Sequence, residues 1–511
     1  MVGFGSEKIK SALVAALGLV LAIFLGYTLG SGGYEPIVLG FLIVSGLAFW
    51  FGSGRFLWVL AIASSFLSGT FPILGGSFNT FQILTMMGVA KFILEDVVMR
   101  RTFKPEIARI DILLIAGFMG VLIVHGLHDR FGMRFLGSSV WGGRNYVNVF
   151  IGLAAFIIVQ SIPMKMKIWN KLPYLVLGVI SFDLAVAIFT TVFPGSIYFI
   201  YPFYSAVANA SVQEAITGAV EITGRIGAFG NFGFILILIV LASVSLRRLF
   251  HPSKLFRLAA AGLGGVAVLY SGFRTAVLNA VIGIILAGIR DLKFGVLLLL
   301  PMLGVFLLGI SMVNEITPLP KQIQRGLAFL PGTWDKEMAL DAAASDDFRW
   351  RVWTLWTQQF FPRHPVIGRG FGFKSEWVQR DTDLGRATDY QQMVETGNIH
   401  NGFLATLDAV GILGTVFFIG WNIRLLVLCL GVGFEKDDET AFVRRFLALY
   451  LGVTLLFYWI GATAIGTSLP GEFALAGVLL RLQSSRNPVA KTDRSAAPMF
   501  EELPTQSRMI V

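Results

Sequence analysis

The sequence predicts an all-α protein that crosses a membrane many times, and three observations lead to this fold class. Of the 511 residues, 55% are hydrophobic and 14% are charged, whereas about 25% of the residues of a soluble globular protein are charged. Apolar runs of about 20 residues, the length of a transmembrane helix, recur along the chain. Loops rich in Lys and Arg alternate with loops that contain few of them, which is typical of the two sides of a membrane.

Fourteen apolar runs are candidate transmembrane helices. The weakest candidates are those of the region 56–96 and the last two runs, so twelve spans is the alternative count. We therefore expect about 12–14 transmembrane helices. The runs are 11–30, 36–52, 56–72, 80–96, 111–126, 147–163, 174–193, 231–246, 258–273, 275–289, 294–313, 411–432, 446–465 and 470–483.

The orientation of the spans follows from the basic loops, which tend to stay on the cytoplasmic side. Four such loops read MRRTFKPEIAR, KMKIWNK, LRRLFHPSKLFR and RDLK, and placing them inside puts both termini in the cytoplasm. These loops also account for much of the formal net charge of +10, so we expect no nucleic-acid partner. The segments left on the outer side are 127–146, 194–230, the 273/274 turn and 314–401.

The hydropathy pattern divides the chain into four parts. Residues 1–313 form a transmembrane helix bundle with short loops, and residues 402–483 form the C-terminal transmembrane helices. Between them, 314–401 is predicted to be a large outer loop with amphipathic helices; loops of this length are uncommon and often functional. The polar residues 484–511 predict a disordered cytoplasmic tail.

One stretch of the large loop, DDFRWRVWTLWTQQFF, predicts an amphipathic helix. Asp346 and Asp347 would cap its start. Its tryptophans, Trp350, Trp353 and Trp356, would then anchor it at the outer membrane interface.

Two arginines on the predicted outer side are candidates for binding an anion. Arg274 lies between two apolar runs, where an arginine is costly and usually faces a cavity or a partner; the alternative is that it snorkels to the interface. Arg225 lies among glycines in ITGRIGAFGN, just before a span that begins at Asn231; the alternative is an ordinary loop arginine. A guanidinium group binds phosphate through two parallel hydrogen bonds and stays charged, so the pair favours a phosphate ligand.

His400, in GNIHNGFLATLDAVGILG, is a candidate general base. Asn398 is predicted to be the N-cap of the following helix, with Ile399, Phe403 and Leu407 on one apolar stripe. His400 would then lie in the first turn, away from the stripe. The partial positive charge of a helix N-terminus disfavours imidazolium and would keep this histidine neutral, as a base requires. The alternative is a surface histidine without a role.

Two other motifs are interpreted as structural. His125 and His128 have the spacing of a helical metal pair, but only Asp129 is a possible ligand nearby, so we expect no metal site. The glycines of GRGFG, 368–372, resemble part of a phosphate-binding loop. No strand precedes them, however, so loop geometry is favoured over a nucleotide site.

Five motifs in order resemble the O-antigen ligase and Wzy-type polysaccharide polymerase family. They are GRIGAFGN before a span, SGFRTA at a tight outer turn, FRWRVW, RHPVIGRGFG, and HNGFLATLDAVGILG opening a span. Each motif is weak alone, but their order and topological positions are specific. The resemblance covers roughly residues 210–430, and the first spans resemble the family only in hydropathy.

The resemblance implies a membrane glycosyltransferase that acts on the periplasmic face of a bacterial inner membrane. The implied donor is a glycan on undecaprenyl diphosphate, and no metal, nucleotide or other cofactor is implied. The family's phosphate-binding arginines fall on Arg225 and Arg274, and its catalytic histidine falls on His400. Its loop arginine falls on Arg349 or Arg351, and the family spacing to a tryptophan favours Arg349. The weaker candidates for substrate binding are Arg349, Arg351, Asn231 and Asn401.

The mechanism expected from these residues is direct attack of an acceptor sugar hydroxyl on the anomeric carbon, with inversion. Polymerisation of a surface polysaccharide or exopolysaccharide is favoured; transfer to lipid A–core or to a protein, by an O-antigen ligase, is the alternative. A transporter of lipid-linked sugars and a membrane scaffold are remote alternatives. The partners expected are the lipid-linked donor, a glycan or lipid-linked acceptor, the bilayer, and chain-length regulators or other polysaccharide export proteins.

Overall fold

A computed structural model describes most of the chain between residues 45 and 484. The predicted span 11–30, Arg225 and nearly all of the predicted tail lie outside the described residues. The described residues are 45–73, 76–97, 107–133, 138, 141–162, 166–200, 204, 226–292, 295–373, 389–433, 439–461 and 465–484.

The described chain is predominantly helical, which confirms the predicted fold class. Its two described strands, β1 (Thr70–Ile73) and β2 (Gly76–Asn79), form one short antiparallel hairpin. The helices up to residue 200, on both sides of this hairpin, are α1 (Ser45–Gly52), α2 (Phe56–Ala63), α3 (Thr80–Phe92), α4 (Arg109–His128), α5 (Gly143–Ser161), α6 (Met166–Trp169), α7 (Leu172–Val192) and α8 (Ile197–Ile200).

The remaining helices follow the same alternation of long apolar helices and short connections, with one longer interruption between α13 and α17. A π-helical turn, Trp356–Phe360, continues α15. The helices are α9 (Gly227–Ser243), α10 (Leu246–Leu249), α11 (Leu255–Tyr270), α12 (Arg274–Leu292), α13 (Val296–Ile316), α14 (Lys321–Leu327), α15 (Lys336–Leu355), α16 (Asp389–Glu395), α17 (Gly402–Leu430), α18 (Ala441–Tyr458) and α19 (Ile465–Ser484).

Eight helices of the described chain are long and apolar enough to cross a membrane, and the chain is therefore a multi-pass membrane protein. A ninth span results if α1 and α2, which are bent by 117° at their junction, cross together. Three further predicted spans, 80–96, 231–246 and 470–483, are also helical, as α3, α9 and α19. The total of 12–14 spans stays a prediction, because part of the chain lies outside the described residues.

Close approach between helices depends on glycines. A Cβ added at Gly233 of α9 would lie 2.3 Å from the carbonyl oxygen of Gly264 in α11. One added at Gly152 of α5 would lie 2.4 Å from the Cα of Pro470 in α19. Small residues at such crossings let backbones pack closely, which stabilises helix association where the hydrophobic effect contributes little.

An ion pair joins the first turn of α4 to the last third of α17. Arg424 donates hydrogen bonds to both carboxylate oxygens of Asp111, at 2.5 and 3.1 Å. Asp111 is buried. A charge buried inside a helix bundle requires such a partner, because an unpaired carboxylate there would lower the stability of the fold by on the order of several kcal/mol.

The segment between α13 and α17 has an apolar cluster of its own. Val352 and Trp356, from α15 and its π-helical turn, are buried against Val394 of α16 and against Ile399. Leu404 of α17 packs on the same cluster. This cluster fixes the position of Ile399, and hence of the next residue, relative to α15.

Candidate active site

The turn that presents Arg274 is built by its own sequence, SGFR. Gly272 has φ +72, a left-handed backbone conformation that glycine adopts without strain. The Ser271 hydroxyl donates to the carbonyl of Val268 at 2.7 Å and accepts from the N–H of Phe273 at 3.2 Å. Arg274 is therefore the first residue of α12, and its side chain, 20% exposed, starts at the end of the bundle rather than inside it.

Arg325 of α14 braces this turn. Its guanidinium group donates to the carbonyl of Gly272 at 2.8 Å and pairs with Asp341 of α15. Because the arginine side chain is only 5% exposed, these contacts connect α12, α14 and α15 in a water-poor environment. Arg325 is not among the predicted site residues, because no local motif marks it; only the folded chain brings it beneath the turn.

Asp346 of α15 joins Arg274 to Arg349. Arg274 donates two hydrogen bonds to its carboxylate, at 2.7 and 2.9 Å, and one to the carbonyl of Ala342, at 3.2 Å. Arg349 contacts the same carboxylate at 3.4 Å. The structure thus brings together the turn arginine and the loop arginine, which are 75 positions apart in the sequence.

The predicted capping role of Asp346 and Asp347 is wrong. The helix begins ten residues earlier, at Lys336. Asp335 is its N-cap and accepts hydrogen bonds from the N–H groups of Glu337 and Met338, at 3.0 and 3.2 Å. With a good cap available at Asp335, the two later aspartates lie in the helix interior, where their side chains are available for ion pairs.

The predicted role of the three tryptophans as interfacial anchors is wrong for two of them. The indole of Trp353 donates to the carbonyl of Ile399 at 3.0 Å, and that of Trp356, which is buried, donates to Asp408 at 2.9 Å. Only Trp350, of the three, is exposed. Trp353 and Trp356 therefore attach α15 to the start of α17 instead of to the lipid interface.

His400 lies in the connection that precedes α17. The predicted N-cap, Asn398, is wrong: Asn401 caps the helix by accepting from the N–H of Leu404 at 3.1 Å. His400 is therefore two residues before the first helical residue, not in the first turn. Its φ of +55 is unusual for a residue other than glycine. Such outliers often occur at functional sites.

The predicted apolar stripe is also wrong, because Ile399 is not helical. Ile399 is fully buried in the cluster with Trp356, whereas Phe403 is exposed and contacts the Trp459 ring, at 6.0 Å between centroids. The His400 ring is half-buried and lies edge-on to the Phe348 ring of α15, at 6.4 Å between centroids. The positive φ of His400 turns the chain between the buried Ile399 and the exposed Phe403.

The environment of His400 favours its neutral form. Burial lowers the pKa of the imidazole, because a charged ring loses hydration there, and the positive charge of Arg349 lowers the pKa further. A neutral imidazole at working pH can accept a proton. The expected neutrality thus has a different main cause from the helix N-terminus that the sequence suggested.

Arg349 and Arg351 have different surroundings. Arg351 pairs with Asp347 at 2.8 Å, and both side chains are more than half exposed. Arg349 shares Asp346 with Arg274 and acts on the pKa of His400. The structure therefore places Arg349, and not Arg351, beside the other candidates.

The remaining candidates are less tightly placed. Asn231 is exposed in the second turn of α9, and the Asn401 side chain caps α17. Arg225 lies outside the described residues. The next residue, Ile226, donates its N–H to the carbonyl of Ser271 in the Arg274 turn, at 3.2 Å.

The motif RHPVIGRGFG forms backbone hydrogen bonds with α17 at a break in that helix. Gly411 has φ 59 and ψ −168, so two helical hydrogen bonds cannot form there. The N–H groups of residues 412 and 413 donate instead to the carbonyls of residues 365 and 366, at 2.9 and 3.0 Å. The carbonyls of residues 408 and 409 accept from the N–H groups of residues 369 and 370, at 2.8 and 3.0 Å. The broken backbone is thus satisfied by protein, as membrane-spanning segments require.

We expect Gly411→Ala to destabilise the protein. The new Cβ would lie 2.4 Å from the N of Gly368 and from the carbonyl of Val366, at a backbone conformation that only glycine adopts readily. The cost is expected to be at least about 1–3 kcal/mol, seen as a lower unfolding temperature in detergent. Gly262→Ala is the matched control, because nothing lies within 4 Å of its added Cβ; equal melting of the two variants would contradict the account.

The same segment is held by a buried ion pair. Arg369 donates through Nε to both carboxylate oxygens of Asp408, at 2.9 Å each, and through NH1 to the carbonyl of Glu395 at 2.9 Å. Asp408 also accepts from the Trp356 indole. Gly368 and Gly370, with φ +74 and +73, allow the close approach to α17. These glycines therefore serve loop geometry, as the sequence predicts.

The two histidines considered as a metal pair have other contacts. His125 lies 2.7 Å from the carbonyl oxygen of Ile367, and His128 lies 2.8 Å from Asp129. His125 thus helps to position the segment that completes α17.

The fold and this site define a class: a multi-pass helical membrane protein with a cationic, histidine-containing site where a long loop meets one end of the bundle. Residues 259–419 match the family model described as O-antigen ligase. This match supports the O-antigen ligase and Wzy-type assignment that the motifs indicated, and it includes Arg274, Arg349 and His400. The family implies transfer of glycans by a ligase-like or polymerase-like glycosyltransferase. No curated protein matched the chain.

Proposed function

We propose that this protein is a membrane glycosyltransferase that uses a glycan linked to undecaprenyl diphosphate as its donor. One observation carries the proposal: Arg274 and Arg349, from α12 and α15, share the Asp346 carboxylate, and His400 packs beside Phe348 of α15, close enough to Arg349 for its charge to lower the histidine pKa. Guanidinium groups suit a diphosphate, and a neutral imidazole suits deprotonation of a hydroxyl. The site would face the periplasm, in an inner-membrane protein with both termini in the cytoplasm.

The donor diphosphate is proposed to bind Arg274 and Arg225. The Arg274 side chain presents both terminal nitrogens on one edge, as its two-pronged contact with Asp346 shows. A phosphate group has oxygens at the spacing that matches such a fork. As the bond to the diphosphate breaks, negative charge increases on the leaving phosphate, and a fixed positive charge stabilises that charge in the transition state. The support for Arg225 is the contact of Ile226 with the Arg274 turn.

His400 is proposed to remove the proton of the acceptor hydroxyl. The hydroxyl oxygen forms a bond to the anomeric carbon, the bond from that carbon to the diphosphate oxygen breaks, and undecaprenyl diphosphate leaves with the bonding electrons. The proton ends on a ring nitrogen of His400. Attack from the side opposite the leaving group inverts the anomeric configuration. No step requires a metal ion or nucleotide, because the arginines carry the positive charge.

Polymerisation of repeat units for a surface polysaccharide or exopolysaccharide is the specific activity that we propose. Its acceptor would be a second lipid-linked repeat unit. O-antigen ligation, with lipid A–core or a protein as acceptor, uses the same donor chemistry and is the alternative. A transporter would place its polar residues near the membrane midplane, whereas Arg274, Arg349 and His400 lie at helix ends and in the long loop.

The acid limb of the pH profile is expected to report the His400 pKa. Only neutral imidazole accepts a proton, so activity falls as the pH drops through that pKa. Since burial and Arg349 lower it, the wild-type limb lies below the ordinary value of about 6.5. Arg349→Gln removes one of these causes, and the limb in kcat/KM should move to higher pH. Arg351→Gln is the control; a limb that stays in place in both variants contradicts the assignment.

Complementation tests the proposed function. A strain lacking the protein is supplied with the wild type, with His400→Ala, or with Arg351→Ala as a control, at equal membrane levels. Lipid-linked intermediates and finished polysaccharide are then measured. Accumulation of single lipid-linked repeat units with His400→Ala supports a polymerase, and accumulation of long lipid-linked chains supports a ligase. Normal polysaccharide without either intermediate would refute the role of His400.

A further inference from the structure

Asp346 holds the guanidinium edge that the proposed function assigns to the donor. Its two oxygens accept both hydrogen bonds from the terminal nitrogens of Arg274, at 2.7 and 2.9 Å. One of these oxygens also contacts Arg349 at 3.4 Å. A phosphate that binds the same edge of the guanidinium group cannot do so while the carboxylate occupies that edge.

The Arg274–Asp346 pair is exposed enough for a phosphate to replace the carboxylate. The Asp346 side chain is 56% exposed and that of Arg274 is 20% exposed. An ion pair with one partner in water contributes little to stability, because water solvates the released carboxylate well. The pair of Arg369 with Asp408 is less accessible to water, because the Asp408 side chain is only 7% exposed. Of these two arginine–aspartate pairs, the one at Arg274 is therefore the one that a competing anion can open.

The carboxylate also has a use while the site is empty. Arginine side chains have many rotamers, and fixing one costs free energy when a ligand binds. With Asp346 in place, the guanidinium groups of Arg274 and Arg349 are already held at one carboxylate. The contact of Arg274 with the Ala342 carbonyl, 3.2 Å, does not involve the carboxylate and can persist when it leaves.

We propose that Asp346 is a displaceable positioning residue: it aligns the two arginines in the empty site, and the diphosphate of the donor takes its place. This proposal rests on the proposed function and specifies how that site binds and releases its ligand. When the lipid diphosphate product leaves, Asp346 pairs with the arginines again and thereby favours release. Its charge therefore weakens diphosphate binding, while its shape keeps the binding groups in position.

The test is the affinity for inorganic diphosphate, measured by calorimetry on the full-length protein in detergent at fixed ionic strength. Asp346→Asn keeps the shape but removes the competing charge, so the Kd should fall by about three- to tenfold. Asp347→Asn is the matched control on the same helix, because Asp347 is similarly exposed, at 59%, but pairs with Arg351. Its Kd should equal that of the wild type.

Three further variants distinguish the possible failures. Asp346→Ser is a second neutral variant that also loses the shape of the aspartate, so its gain in affinity should be smaller than that of Asp346→Asn. Adding Arg274→Gln to Asp346→Asn should abolish the gain. An unchanged or higher Kd in both neutral variants overturns the proposal for Asp346 alone, provided that Arg274→Gln weakens binding to the otherwise native protein. If the wild type does not bind diphosphate, or Arg274→Gln has no effect, the proposed diphosphate site fails as well.

Discussion

His400→Ala is expected to lower the rate of glycan transfer by at least about 10²–10⁴-fold, the range of positioned acid–base catalysis. The imidazole is half-buried, beside Phe348 and within the electrostatic influence of Arg349, and its pKa is lowered by this environment. Alanine removes the proton acceptor but leaves the cap at Asn401 and the burial of Ile399 unchanged. The rate is measured in membranes that contain equal amounts of each variant.

His364→Ala is the matched control for this substitution. His364 is an exposed histidine of the same long loop, and we expect its replacement to leave the rate near that of the wild type. A normal rate in His400→Ala would show that this histidine only shapes the connection before α17. Equal losses in both variants would indicate a general effect on the loop rather than catalysis.

The second large effect is expected for Arg274→Lys. Lysine keeps the charge and can still pair with Asp346, so the fold around the turn should persist. It cannot form the two parallel hydrogen bonds that Arg274 forms at 2.7 and 2.9 Å. We expect a loss of about 10²–10³-fold in kcat, the range observed when one fixed donor to a developing negative charge is removed.

Arg351→Lys provides the comparison for the Arg274 variant. It changes an exposed arginine of the same loop region, paired with Asp347, and should have little effect. Wild-type kcat in Arg274→Lys would mean that the residue contributes only a general positive charge. That result would contradict the proposed binding of the leaving diphosphate by a guanidinium fork.

The fold class could be predicted because hydropathy is a local property. Runs of apolar residues indicate helices wherever the chain folds in a membrane, and the eight described helices that are long and apolar enough to span fall on them. Helix starts were predicted less well. Asn398 and Asn401 both have the side chain of an N-cap, and only the tertiary packing of Ile399 decides between them.

The candidate site could be predicted in part. The motifs identified Arg274, Arg349 and His400, which the structure brings together. The partners of these residues could not be predicted, because Asp346 and Arg325 reach the turn only through the docking of α14 and α15. For the same reason, Trp353 and Trp356 resemble interfacial anchors in the sequence but donate hydrogen bonds to Ile399 and Asp408 in the structure.

The break in α17 shows a further limit of reading sequence alone. Gly411 lies within an apolar run, where a continuous helix is the natural expectation. The segment that completes the break, residues 365–370, is more than 40 positions earlier in the sequence. No pattern of local residues predicts that pairing, although the glycines at both sides are consistent with a close approach.

Reconstitution tests the central claim most directly. The purified protein is placed in liposomes with the lipid-linked glycan that accumulates in the His400→Ala strain, and both the glycan product and free undecaprenyl diphosphate are measured. The account predicts that each glycan transferred releases one undecaprenyl diphosphate, and that His400→Ala releases almost none. Movement of the lipid-linked glycan to the other leaflet with its diphosphate bond intact would contradict the account and indicate a transporter.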